Sequence, residues 1–103
     1  MKSNTSIPHN EAVIRELRDN PAFAVEYARA AFENADKPAL LLIALRRIVE
    51  ARGGVAKIAK AGGLERESLN RTLSRKGDPR LSTLFAVTKA VGLRLTVETQ
   101  RSH

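Results

Sequence analysis

Along most of this chain, apolar residues recur every three to four positions, the spacing of one helix face. Val13, Ile14 and Leu17 share a face of a short helix predicted over residues 10–19. Asn20-Pro21 stops that helix and starts the next, because Pro suits a first helical turn whose N–H has no helical partner. Phe23, Tyr27, Ala30 and Ala31 carry the helical period through residues 21–34, and the two aromatic rings read as core rather than a ligand box. Ala35-Asp36-Lys37-Pro38 is a second break, with Pro again near a helix start. A third helix, 39–52, bears a stripe of Leu41, Ala44, Leu45 and Ile48, widened by Leu42 and Val49. It is expected to be buried on more than one side. Gly53-Gly54 ends it.

The following elements are shorter. Val55 to Ala61 reads as a brief helix, and Gly62-Gly63-Leu64 as a tight corner where Gly supplies a positive φ. Residues 66–75 form the next helix, with Leu69, Thr72 and Leu73 turned inward. Arg66, Glu67, Asn70, Arg71, Ser74 and Arg75 are left for solvent or a partner. Lys76 to Arg80 is a loop, and Ser82 is placed as the N-cap of a last helix over 83–91. Leu84, Val87 and Val91 lie at helical spacing there, with Phe85 beside them, and Gly92 closes the helix.

The period then changes. Leu93, Leu95 and Val97 alternate with Arg94, Thr96 and Glu98, the pattern of a half-buried strand over 93–98. A lone strand leaves backbone donors and acceptors unpaired. Its expected partner is the same strand of a second copy across a two-fold axis, giving a homodimer with Leu93, Leu95 and Val97 at the interface. The polar start, Met1 to His9, contains Pro8 and reads as a flexible arm. The chain thus divides into an arm at 1–9, N-terminal helices at 10–52, a helix-turn-helix region at 53–92 and a strand and tail at 93–103.

Charge separates the two halves. Of the net +7, residues 1–52 hold 8 Lys/Arg against 7 Asp/Glu, whereas residues 53–103 hold 10 against 4. The basic excess lies in the C-terminal half, and a basic field favours polyanions. With no Cys, disulfides, thiolate metal sites and cysteine nucleophiles are excluded. No Trp, one Tyr and three Phe argue against a stacking platform for single strands. The longest uncharged apolar run, Pro38 to Leu45, falls far short of the ~20 residues a bilayer span needs. Met1 to Ser6 lacks the apolar core of a secretory signal, so the cytoplasm is the expected compartment and no membrane partner is expected.

Enzymatic chemistry is not expected, and no cofactor or metal is called for. The two histidines, His9 and His103, stand near the termini, where nothing holds a catalytic geometry. The Gly pairs lack the Lys-Ser/Thr that follows a phosphate-binding loop. Glu11, Glu16, Glu26 and Glu33 fit a solvated helix face. Arg46, Arg47 and Glu50 are expected to pair locally on the third helix.

Two short helices joined by a tight turn meet the demands of a helix-turn-helix. Ala59 is the small residue where the helices cross, and Gly63 stands at the turn four residues on. Ile58, Leu64 and Leu69 lock the pair, while Arg66 and Arg71 face outward. Such a helix can lie in the major groove with its first residues at base edges, where Arg reads guanine O6 and N7 together. Lys57, Lys60, Arg75, Lys76 and Arg80 flank it, suited to phosphate contacts.

With these residues in place, the chain resembles the Cro/cI-type (XRE) helix-turn-helix proteins, and more closely the addiction-module antidote proteins paired with RelE/HigB-like toxins. The resemblance spans about residues 17–97. It rests on Leu17 to Tyr27, on Ala44-Leu45-Arg46 running to Ala51-Arg52-Gly53-Gly54, on Gly63 to Leu69, and on Pro79 to Leu84 through Val91-Gly92-Leu93-Arg94-Leu95. It implies an all-α, five-helix lambda-repressor-like domain with an N-terminal helical extension and a short C-terminal β-strand. It also implies an antitoxin that neutralises an mRNA-cleaving toxin, binds operator DNA as a dimer and represses its own operon. Base-reading positions then fall on Arg66, Glu67, Asn70 and Arg71, with Ser68 near the backbone or a thymine methyl. Lys60 and the loop around Arg80 and Thr83 would take phosphates.

The chain departs from that pattern at three points. Glu65 stands where Ser or Thr is usual before the base-reading helix, Gly62 replaces a commoner apolar residue, and Asn70 stands where an aromatic is frequent. A stand-alone, phage-repressor-like regulator shares the fold, as does an adaptor that has lost its DNA contacts. A small ribonuclease-like reading frame beside the gene separates antitoxin from regulator. A flat salt response of DNA affinity marks the adaptor.

Overall fold

The computed structural model describes residues 6–33, 36–74 and 76–99. Residues 1–5 of the expected arm, Arg75, His103 and the end of the tail lie outside the described residues. Six helices stand among them: α1 (Ser6–Asp19), α2 (Pro21–Glu33), α3 (Pro38–Ala51), α4 (Val55–Gly62), α5 (Arg66–Thr72) and α6 (Leu81–Ala90). The fold is all-helical, with no strand among the described residues.

The apolar stripe of α3 explains the architecture. Leu41, Leu42, Ala44, Leu45, Ile48, Val49 and Ala51 are all buried, which is possible only for a helix covered on several sides. α1 and α2 pack on it from one direction and on each other, and α4 meets it from the other. α4 in turn packs against α5 and α6. Leu17 of α1, Ile58 and Ala59 of α4, Leu69 and Leu73 around α5, and Val87 and Val91 around α6 complete one buried cluster.

On α2 the buried line is Ala24 and Ala28 rather than the expected aromatic residues, and Ala30 is exposed. Small side chains let α2 approach its neighbours closely. Phe23 and Tyr27 flank that contact as a tilted ring pair, centroids 5.8 Å apart, packed against the core.

Several boundaries differ from expectation for local reasons. α1 starts at Ser6, inside the expected arm, with Pro8 in its first turn, where a missing N–H costs nothing. α5 stops at Thr72, three residues early. The Ser74 hydroxyl donates to the Arg71 carbonyl (2.7 Å) and the Gly77 N–H to the Ser74 carbonyl (2.9 Å), so the chain curls into a loop. The backbone at Gly77 lies so close to α5 that a Cβ there would run into the Thr72 carbonyl. α6 starts at Leu81, so Ser82 is not its cap. Arg80, extended after Pro79, takes the N-cap position, and its carbonyl accepts the Leu84 N–H at 3.0 Å.

The expected strand at 93–98 is not formed within the single chain: residues 93–99 carry no regular secondary structure. A strand exists only by pairing, and no described segment offers a ladder. The segment instead runs beside α2 along an open groove of about 420 Å³. Leu93 packs against the chain's own core, Leu95 is half-buried, and Val97 is 94% exposed. An exposed ion pair, Arg29 to Glu98 at 3.5 Å, ties the segment to α2. None of the described helices is long and apolar enough to cross a membrane.

Candidate nucleic-acid interface

The α4–α5 corner sets the geometry of the candidate surface. α4 ends in a turn where Leu64 N–H donates to the Ala59 carbonyl (2.8 Å) and Gly63 N–H to the Lys60 carbonyl (3.3 Å). Closing it requires the left-handed conformation of Gly63, φ 68 and ψ 31. An added Cβ would meet nothing within 4 Å, so the demand for Gly here is purely one of backbone conformation. Ala59 is 1% exposed beneath the crossing, the place the sequence assigns to a small residue. Gly62 backs onto α6, where an added Cβ would meet the Ala86 carbonyl at 3.4 Å, an ordinary packing contact, so the space there does not itself demand Gly.

α5 then leaves the corner. Glu65 is its N-cap in an extended conformation, with no side-chain capping bond, as its longer side chain leads one to expect. Leu69 and Leu73 are buried at 1% and 3%, which fixes the rotation of the helix about its axis. Arg66, Glu67, Asn70 and Arg71 are consequently exposed, and Ser68 is half-buried. Around them, Lys57, Lys60, Lys76 and Arg80 are exposed and Thr83 is half-buried. Among the described residues, none of Lys57, Lys60, Arg66, Arg71, Lys76 and Arg80 has a carboxylate partner; the ion pairs there involve only Arg18 with Asp19 and Arg29 with Glu26 and Glu98. Three exposed acids, Glu65, Glu67 and Asp78, stand among these cations along the chain. Arg75 lies outside the described residues.

One participant escapes a reading by sequence neighbours. Arg46 and Arg47 do not pair with Glu50. Arg46 reaches 24 residues along the chain, its Nη2 donating to both the backbone carbonyl and the Oδ1 of Asn70, each at 2.9 Å. Its Nε donates to the Leu73 carbonyl at 3.4 Å. It thus satisfies carbonyls at the C-terminal end of α5 that no helical N–H serves. Arg47 donates to Asn10 Oδ1 (2.8 Å) on α1 and to the Tyr27 hydroxyl (3.1 Å) on α2. A signal existed: Arg46 stands on the same helix face as Leu42 and Val49, and a cation on an apolar stripe needs polar partners in space.

No cluster of three or more metal-ligating side chains stands among the described residues. Exposed on α5 and at its start are side-chain donors from Arg66, Asn70 and Arg71 and acceptors from Glu65, Glu67 and Asn70. A family model described as "Probable addiction module antidote protein" matches residues 10–99. An uncharacterized protein of Haemophilus influenzae is 38% identical over 66 residues, covering 64% of this chain and 67% of that protein. No solved structure matches the chain.

Proposed function

Since the chain belongs to the probable addiction module antidote family, which implies a toxin partner, we propose that it is the antitoxin of a type II module. In this reading it neutralises a RelE/HigB-like toxin, binds operator DNA as a homodimer and represses its own operon in the cytoplasm. α4 and α5 serve as the helix-turn-helix of a lambda-repressor-like domain. Arg66, Glu67, Asn70 and Arg71 face bases, while Lys57, Lys60, Ser68, Arg75, Lys76, Arg80 and Thr83 face the backbone.

The observation that carries this reading is the exposed face of α5, together with Lys57, Lys60, Lys76 and Arg80, exposed cations that have no carboxylate partner among the described residues. Unpaired surface cations keep their full attraction for phosphates, and counterion release on contact makes binding steeply salt-dependent. The N-terminal half is nearly charge-balanced and holds the structural helices, which leaves it free for a different partner. Two-fold pairing is supported by apolar surface that the chain leaves uncovered: Val97 at 94%, and Leu81 and Phe85, one turn apart on α6, at 65% and 49%.

Two measurements test the reading. Lys60→Ala weakens binding to all DNA sequences alike and lowers the log–log salt slope by about one unit. An unchanged slope in a mobility-shift series removes Lys60 from the phosphate contacts. Val97→Glu leaves the single chain intact, because Val97 touches almost nothing in it, but halves the sedimentation mass. A mass unchanged by the substitution rules out pairing through this segment. Co-purification with the product of the adjacent reading frame separates an antitoxin from a regulator that works alone.

A further inference from the structure

The segment after α6 is held at both ends and unbonded between them. Gly92, at φ 87, turns the chain off the end of α6, and the Leu93 N–H donates to the Thr88 carbonyl at 2.8 Å. At the far end, Glu98 meets Arg29 of α2 in an exposed ion pair at 3.5 Å. Among the described residues, no backbone group of residues 94–99 takes part in a hydrogen bond. Arg94, Thr96, Val97 and Glu98 are exposed, and the α2 wall of the adjoining groove carries Val25, itself 41% exposed. Free backbone donors and acceptors of this kind are a template for another strand.

Which strand fits is set by the order of the side chains. In an antiparallel pair, residues directly opposite each other share a face of the ribbon and interact there. A two-fold axis through Thr96 sets Arg94 opposite Glu98 of a second copy, and Glu98 opposite its Arg94. On the other face, Leu95 and Val97 stand opposite each other twice, and the two Thr96 residues meet on the axis. Other axes fit less well. Through Leu95, apolar residues still meet, but Arg94 faces Thr96 and Glu98 faces Gly92. Through Arg94, two like charges meet head-on, which is destabilising. Through Val97, Leu95 faces Thr99 and Thr96 faces Glu98. An axis between two residues sets the apolar face against the polar one.

Resting on the homodimer reading above, we infer that the segment pairs with its counterpart in a second copy in the register centred on Thr96, selected by two reciprocal Arg94–Glu98 contacts. The Leu95–Val97 pairs supply apolar contact, and the charges choose among the registers that the apolar residues allow. The carboxylate of Glu98 has acceptor capacity for both Arg29 of its own chain and Arg94 of the second copy.

The absence of Cys from the chain makes the test direct, since each substitution introduces a single thiol. Under mild oxidation, full-length Thr96→Cys protein forms an intermolecular disulfide, because opposite Cβ atoms lie about 4.5–5.5 Å apart. Leu95→Cys links several-fold more slowly, because its own counterpart is a diagonal neighbour about 7–8 Å away. In sedimentation, Arg94→Glu weakens association by roughly tenfold or more, since the axis turns one substitution into two like-charge contacts. Adding Glu98→Arg to the same chain restores it. Faster linking of Leu95→Cys than of Thr96→Cys, linking of neither, or a double variant no better than Arg94→Glu, in a protein that still sediments as a dimer, overturns the register and leaves the homodimer in place. An unsubstituted protein that sediments as a single chain overturns both.

Discussion

Leu45→Ala lowers the unfolding free energy by roughly 2–5 kcal/mol. Leu45 is 1% exposed on α3, the helix against which α1, α2 and α4 all pack. Removing its isobutyl group forfeits transfer free energy and leaves a cavity that three fixed neighbours cannot all collapse into. A small domain holds only about 5–15 kcal/mol in total, so this one change takes a large share. In a urea titration the midpoint falls while the slope stays constant, since the surface exposed on unfolding is nearly the same. Ile43→Ala, at a half-buried position on the same helix, costs visibly less. Equal losses at the two positions would mean that α3 is not the shared wall of the core.

Arg71→Ala removes roughly 1–3 kcal/mol of discrimination between operator and scrambled DNA and leaves the fold unchanged. Arg71 is exposed, and the bonds it makes inside the protein run through its backbone carbonyl, which accepts from Ser74. Truncating its side chain therefore takes nothing from the helix that a melting curve would register. It takes the fork of donors that suits guanine O6 and N7. Mobility shifts on specific and scrambled duplexes, at one fixed salt concentration, measure the ratio. If that ratio is the same before and after the substitution, Arg71 does not read bases.

The parts of this fold that were legible in the sequence are those where large apolar side chains mark a face. Leu41, Leu45 and Ile48 announce the buried helix, Leu69 and Leu73 orient α5, and Gly63 marks the corner. What stayed hidden has physical causes. Ala24 and Ala28 form the buried line of α2, but alanine is nearly neutral between water and core, and Phe23 and Tyr27 draw attention to the neighbouring face. Gly77 is required by the nearness of the Thr72 carbonyl, a demand that exists only after the loop has folded back. The partners of Arg46 and Arg47 lie 20 to 37 residues away, beyond any reading by local spacing. The face of α5 was legible because its rotation follows from Leu69; the orientation of the Asn70 amide was not, because it depends on α3.

Arg46 and Arg47 are consecutive, so their side chains leave α3 about 100° apart around its axis. One grips the end of α5 and the other grips α1 and α2. Two adjacent side chains of α3 thus tie α5 on one side and α1 and α2 on the other to a single helix.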